Sequence, residues 1–333
     1  MKTWALYVGT FACAAALALW LTPRMREAAL NFGIVDRPDG RLKNHREPVP
    51  YLGGLAIYLA FLLALSACPF GPEVLALLLA GSIVVLLGLV DDLGQLGATT
   101  KLLGQLVAVL VLVKSGITIQ LTFIPPWLAL PLSVLWLLAA TNAFNLIDIM
   151  DGLSAGTAAT AALALFAVAV WNGRVTAATM LAALAGACLG FLRYNLEPAR
   201  IYMGDAGSQF LGLVLGALAM NNAYTDRNLL AAAAPALILG VPLFDMVFVM
   251  YVRFRRGLPV MLGSPDHVAL RLRKWKLSTK QTVFLSYAVT ALLGAAAVIL
   301  SLVSPTAAAV LLAGLVAAGV LAAALLRRID MRM

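Results

Sequence analysis

Eleven runs of apolar residues divide this chain, near 4–22, 52–69, 73–90, 102–114, 127–143, 155–171, 176–192, 208–222, 229–251, 281–302 and 307–326. Several approach the ~20 residues that span about 30 Å of hydrocarbon at 1.5 Å per residue. The run at 102–114 is the shortest. A soluble core cannot absorb so many runs: 62% of the residues are hydrophobic and 12% charged, where about a quarter is charged in soluble domains. Lipid is the solvent, and backbone in lipid must bond within its own segment. The predicted fold class is an all-α polytopic integral membrane protein of about eleven transmembrane helices, a single domain over residues 1–333.

The first run follows Lys2, which raises a cleaved signal peptide as the competing reading. Its apolar stretch is too long for a signal core and a basic loop follows directly, so it is read as a retained helix. Cys13, Cys68 and Cys188 lie inside apolar runs without CxxC spacing and are read as packing residues.

Charge orients the helices. With the N-terminus outside, the loops after helices 1, 3, 5, 7 and 9 and the C-terminus fall in the cytoplasm, and these carry 20 of the 24 Lys and Arg. The other side holds Lys2, Lys114, Arg174 and Arg227. This positive-inside bias predicts N-out, C-in, and accounts for most of the net charge of +9 without any nucleic-acid partner. Thirteen of the fifteen acids follow the same partition, leaving Glu73 and Asp226 opposite. Acids contribute little to topology, so a face rich in both signs points to a metal and a phosphorylated substrate. The loops expected to form the active site are 23–51, 91–101, 143–155, 193–207 and 252–280.

Three stretches carry the chemistry. In Gly88-Leu-Val-Asp91-Asp92-Leu-Gly94, two adjacent carboxylates end a hydrophobic helix, where a like-charge pair needs a cation, a proton or water. In Thr141-Asn-Ala-Phe-Asn145-Leu-Ile-Asp148-Ile-Met-Asp151-Gly152-Leu-Ser-Ala-Gly156, the residues Asn145, Asp148 and Asp151 recur every three positions and would share one face of a helix. In Asn195-Leu-Glu-Pro-Ala-Arg-Ile-Tyr202-Met-Gly204-Asp205-Ala-Gly207-Ser208, Asp205 stands between glycines, and the helix that follows would offer free N–H groups and a positive dipole end.

The loop 252–280 adds Arg253, Arg255, Arg256, His267, Arg271, Arg273, Lys274 and Lys276. Most of these cations read as anchors against anionic lipid. His267 reads as functional, since imidazole rarely serves as an anchor. The other histidine, His45, sits in Arg41-Leu-Lys43-Asn-His45-Arg46, equally a phosphate clamp or a topology signal. Together, carboxylates for a divalent cation and cations for phosphate, at a membrane, suit phosphoryl transfer. The oxygen-rich ligand set favours Mg²⁺, or Mn²⁺, over zinc.

These residues resemble the polyprenyl-phosphate N-acetylhexosamine-1-phosphate transferase family, which includes enzymes initiating O-antigen and teichoic-acid linkage synthesis and the phospho-N-acetylmuramoyl-pentapeptide translocase. The resemblance covers about residues 30–275. Its motifs run in order: Val35-Asp36-Arg37-Pro38 to His45, Pro50-Tyr-Leu-Gly53-Gly54, Asp91-Asp92, Asn142 to Gly156, Gly204 to Ser208, Pro242-Leu-Phe-Asp245 and the basic loop. It implies transfer of a sugar-1-phosphate, most often N-acetylglucosamine-1-phosphate, from a UDP-N-acetylhexosamine to undecaprenyl phosphate, releasing UMP, in a bacterial or archaeal plasma membrane. By the same resemblance Asp205 is the Mg²⁺ ligand, and Asp91 deprotonates or orients the lipid phosphate with Asp92 beside it. His267 matches the family's loop histidine. Asn145, Asp148, Asp151, Asn195 and Tyr202 fall where the nucleotide is held, and Arg46 and Lys43 lie in the basic contact region. A homodimer is allowed by the same likeness.

Two departures stand out. Asp148-Ile149-Met150-Asp151-Gly152-Leu153 lacks the family's first glycine, and because Ile is poor at positive φ the segment is expected to be helical here. The loop keeps one histidine of a usual cluster, which argues against the muramoyl-pentapeptide substrate. An ion-coupled transporter is disfavoured, because its key groups would lie near the midplane of repeat-related halves. A phosphatidyltransferase is disfavoured too: Gly156 stands where its signature needs Arg, and its two further acids are missing.

Overall fold

The computed structural model describes residues 2–36, 48–66, 68, 71–94, 96–220, 222–259, 264–329 and 331. Lys43, His45 and Arg46 lie outside the described residues, so the structure does not place them.

All eleven apolar runs are helical. They form α1 (Lys2–Asn31), α2 (Gly53–Leu65), α3 (Pro72–Gly94), α4 (Ala98–Lys114), α5 (Pro126–Leu146), α6 (Leu153–Trp171), α7 (Val175–Asn195), α8 (Gly204–Met220), a bent pair, α12 (Thr279–Leu302) and α13 (Pro305–Arg327). The bent pair comprises a 3-10 turn Leu229–Ala233, α9 (Ala234–Ile238) and α10 (Gly240–Arg255). A short α11 (Val268–Lys274) lies in the basic loop, and β1 (Val35–Asp36) pairs antiparallel with β2 (Val49–Pro50). Among the described residues seven helices are long and apolar enough to cross a membrane, eight if the bent pair is one span; α2, α4 and α8 are shorter, at 13, 17 and 17 residues.

The ninth run is not the single helix its hydropathy suggests: it bends by 80° at Leu239. The cause is local. Pro242 has no N–H for the Ile238 carbonyl, and Gly240 beside it resists little. α1 departs the other way, running past its apolar run to Asn31 despite Pro23. Pro23 deprives the Leu19 carbonyl of its donor, and the Tyr194 hydroxyl replaces it at 3.1 Å.

The core is built from close helix approach. In α7, Gly186 and Gly190 face the backbone of α1 at Phe11 and Ala15, leaving no room for a β-carbon. Lipid gives helices no hydrophobic drive to associate, so small residues and van der Waals packing hold them. α8 is buried almost throughout and contacts α3 and α5. Outward faces carry Trp4, Leu86, Leu292 and Val310, as a lipid solvent allows. The Asp91-Asp92 end of α3, the Asn145 end of α5 and the head of α8 meet at one end of the bundle.

Candidate active site

Three helices deliver oxygens to one ammonium group. Lys101, in the first turn of α4, places Nζ 2.9 Å from Asp91 Oδ2 and 3.0 Å from Asn145 Oδ1, and bonds to Asp205 Oδ2 as well. Asn145 Nδ2 donates to Asp205 Oδ1 at 2.8 Å and to Ser208 Oγ at 2.9 Å. Asp91 also accepts the Leu96 N–H at 2.5 Å. Carboxylates in the last turn of a helix face its negative dipole end, so Asp91 needs the Lys101 cation. One turn deeper lies a ladder of amides: Asn142 Nδ2 donates to Gln105 Oε1 at 2.8 Å, and Gln105 Nε2 donates to Gln209 Oε1 at 2.9 Å. These residues stand one helical turn from Asn145, Lys101 and Asp205, so two polar layers stack along α4, α5 and α8.

Lys101 is legible in the sequence as a cation, but the charge bias alone assigns it to topology. It is the sole charged residue between Asp92 and Lys114, at the head of an apolar helix. That isolation is the available clue.

Asp92 plays a different part from its neighbour. Its carboxylate accepts the backbone N–H groups of Asp205 at 2.8 Å and Ala206 at 3.3 Å, capping α8 from α3. These first N–H groups of α8, expected to be free for phosphate, are therefore taken. Gly204 makes this possible: its φ is +72°, and a β-carbon there would lie 2.5 Å from Asp92 Oδ2.

Residues 147–152 form a turn between α5 and α6, which corrects the helix expected there. The only positive φ in the turn falls at Gly152, at +78°, so Ile149 needs no left-handed conformation. Asn145 stays on α5 while Asp148 and Asp151 ride on the turn. Asp151 Oδ2 accepts the Ala199 N–H at 2.8 Å. Asn195 Oδ1 accepts the Gly152 N–H at 3.0 Å, and its Nδ2 donates to the Ile201 carbonyl at 2.9 Å. Asn195 thus ties the turn to the loop ahead of α8, with both ends of its amide engaged. The Asp148 N–H donates to the Asn145 carbonyl at 3.3 Å, while its carboxyl has no hydrogen-bond partner among the described residues. Burial holds its carboxyl well above the usual carboxylate range, and the charges of Asp205, Asp92 and Asp151 push the same way.

The loop before α8 is itself braced. The Tyr202 N–H donates to the Pro50 carbonyl at 2.8 Å, and the Gly53 and Gly54 N–H groups donate to the Tyr202 and Met203 carbonyls at 3.0 and 2.9 Å. The Tyr202 ring lies 6.2 Å from that of Tyr51. Burial pushes the Tyr202 hydroxyl up to about 12, helped by the charges of Asp151, Asp36 and Asp148.

His267 forms a separate pair. It is buried, and its Nδ1 lies 2.6 Å from Asp245 Oδ2, while the Val268 N–H donates to Asp245 Oδ1 at 2.7 Å. No hydrogen bond among the described residues joins it to the Lys101 cluster. Asp266, its sequence neighbour, instead pairs with Arg256 at 2.9 Å and Arg271 at 2.6 Å. Arg271 is fully buried and also donates to the Leu326 and Ile329 carbonyls at 3.0 and 2.7 Å. It clamps the end of α13 rather than anchoring to lipid, and Arg253 is buried too, donating to the Pro259 carbonyl at 2.7 Å.

An apolar cavity of about 670 Å³ adjoins the turn. Its wall includes Ile147 and Ile149 of the turn, Phe244 and Asp245 of α10, and Leu285 and Val289 of α12.

Residues 74–223 match the family model described as glycosyl transferase family 4. The chain is 33% identical over 292 residues to a probable undecaprenyl-phosphate N-acetylglucosaminyl 1-phosphate transferase of Bacillus subtilis, covering 85% of this chain and 81% of the relative. It is 34% identical over 314 residues to a decaprenyl-phosphate N-acetylglucosaminephosphotransferase of Mycolicibacterium smegmatis, covering 82% and 77%. A phospho-N-acetylmuramoyl-pentapeptide-transferase of Heliobacterium modesticaldum is 32% identical over 299 residues, covering 82% and 91%.

Proposed function

Because the chain belongs to glycosyl transferase family 4, we propose that it transfers N-acetylglucosamine-1-phosphate from UDP-N-acetylglucosamine to undecaprenyl phosphate at the cytoplasmic face of a bacterial plasma membrane, releasing UMP. The observation that carries this reading is the turn 147–152. It holds Asp148 within the electrostatic reach of Asp205 and Asp92, and it sets Ile147 and Ile149 into the wall of the apolar cavity. A charged cluster suited to diphosphate and a chamber suited to a lipid chain share one backbone segment. At about 670 Å³ the cavity would take the phosphate-proximal isoprenes, leaving the rest of the chain in the bilayer.

In the reaction, an oxygen of the lipid phosphate attacks the β-phosphorus of the donor. A P–O bond forms, the P–O bond to the uridine side breaks, and UMP leaves with the electron pair. Such transfer depends on positioning and charge neutralisation. Lys101 brings a cation to the oxygens of Asp91, Asp205 and Asn145, and would yield them to a divalent ion bound there. Asp91 would orient the lipid phosphate, and Asp148 is the carboxyl free to meet the donor. His267, aimed by Asp245, would donate a hydrogen bond to the diphosphate or the sugar.

Among the described residues no three acidic, histidine or cysteine side chains form a ready metal cage. The oxygens of Asp91, Asp205 and Asn145 nonetheless converge on one cation, the Lys101 ammonium, and Mg²⁺ commonly takes one or two carboxylates and keeps several waters. The donor set fits Mg²⁺, with Asp205 and Asp91 holding it and the amide of Asn145 beside them. Bound there, Mg²⁺ would neutralise charge on the diphosphate oxygens.

The test is a donor panel. Purified protein with Mg²⁺ and undecaprenyl phosphate should release UMP from UDP-N-acetylglucosamine in preference to other UDP-sugars and to UDP-N-acetylmuramoyl-pentapeptide. Preference for the last would reassign the substrate within the family.

A further inference from the structure

The turn that carries Asp148 and Asp151 is gripped at a single residue from two sides. Asn195 Oδ1 takes the Gly152 N–H at 3.0 Å from α7, and the Tyr287 hydroxyl donates to the Gly152 carbonyl at 2.5 Å from α12. Tyr287 reaches that carbonyl only because α6 has no side chain at Gly156, where a β-carbon would collide with the Tyr287 ring and hydroxyl oxygen. The turn needs such a grip. It bears two carboxylates set against Asp205 and Asp92, and its backbone reverses at a glycine, the residue least able to fix its own conformation. Residue 287 lies well outside the segment 74–223 that matches the family model, so no motif marks it.

We propose that Tyr287 is a positioning residue for the transfer. Its hydroxyl holds the Gly152 carbonyl and so fixes the direction in which the turn presents Asp148 to the donor. This rests on the proposed function. The same stretch of α12 walls the lipid cavity, through Leu285, Ser286 and Val289. One helix therefore walls the acceptor chamber, with Leu293 as well, and steadies the donor-side turn with Tyr287.

The experiment uses the full-length protein in detergent, with separate titrations of UDP-N-acetylglucosamine and undecaprenyl phosphate. Tyr287→Phe keeps the ring against Gly156 and removes only the hydroxyl. Its kcat/KM for the donor should fall about tenfold or more, while the acceptor KM stays within about twofold and Tm moves by a few degrees at most. A second variant, Gly156→Ala, displaces the ring without touching the hydroxyl and should show the same donor-selective defect. The double variant should be no worse than the poorer single one, because both break one contact. Donor constants within about twofold of the parent for Tyr287→Phe would overturn the inference, as would a loss explained wholly by a smaller folded fraction. If the parent itself releases no UMP, the functional reading fails and takes the inference with it.

Discussion

The backbone N–H of Asp205 donates to Asp92 Oδ1 at 2.8 Å, so the second member of the acid pair on α3 caps the helix that carries Asp205. Asp91, one position earlier, instead pairs with Lys101 at 2.9 Å. Adjacent carboxylates on α3 thus do separate work, one binding a cation and one holding two helices in register.

That division predicts different losses. Asp91→Asn should abolish transfer in a protein of near-parental stability. Asp92→Ala should lower Tm by about 2 °C, since a lost cap costs about 1 kcal/mol, and Asp92→Asn, which keeps an acceptor oxygen, should restore most of it. Thermal unfolding in detergent with matched UMP-release assays measures both. Equal behaviour of the two positions would contradict the assignment.

Asp148 gives a prediction in pH. Its carboxyl is raised in the folded protein, so the fold favours the protonated form. As pH rises past the ordinary value of about 3.9, the unfolded chain ionises freely and the folded one is held back, and stability falls. Asp148→Asn carries no such penalty. The Tm of Asp148→Asn minus that of the parent should grow between acid and neutral pH, while the variant loses transfer. A difference that is constant or shrinks with pH would count against the burial of this carboxyl.

The buried pair of His267 and Asp245 removes His267 from the exposed anchoring charges. His267→Ala should lower kcat by about 10²-fold, the scale of a lost oxyanion-type donor. Asp245→Asn should lower it about tenfold or more by letting the ring turn. Donor affinity should change much less in both. A near-parental kcat for His267→Ala would place the chemistry on the carboxylates and Lys101 alone.

Topology is testable at two exposed positions. In a Cys-less background, cysteine at 255 should react with a membrane-impermeant reagent only from the cytoplasmic side, and cysteine at 226 only from outside. Labelling of both from one side would contradict the orientation set by the Lys and Arg distribution.

Much of this molecule is legible in its residues. Helix positions follow from runs of apolar side chains, because lipid leaves the backbone little alternative. The 80° bend at Leu239 escapes hydropathy, although Pro235, Gly240 and Pro242 carry the signal. Asp91, Asn145, Asp148 and Asp205 stand out as polar groups in apolar surroundings. Lys101 does not, because a lone lysine at a helix head is also what charge bias in topology produces. The cap made by Asp92, the staple made by Asn195, the clamp of Arg271 on α13 and the grip of Tyr287 reach partners 43 to 135 positions away. No local pattern encodes them.

The proposed function requires that a phosphosugar, and not a bare sugar, moves to the lipid. UDP-N-acetylglucosamine radiolabelled in the β-phosphate, the one attached to the sugar, tests this most directly when incubated with the protein, Mg²⁺ and undecaprenyl phosphate. The label is predicted to enter the organic-extractable lipid, with unlabelled UMP appearing in equal amount. Label left in the aqueous phase as UDP, with sugar on the lipid, would contradict it.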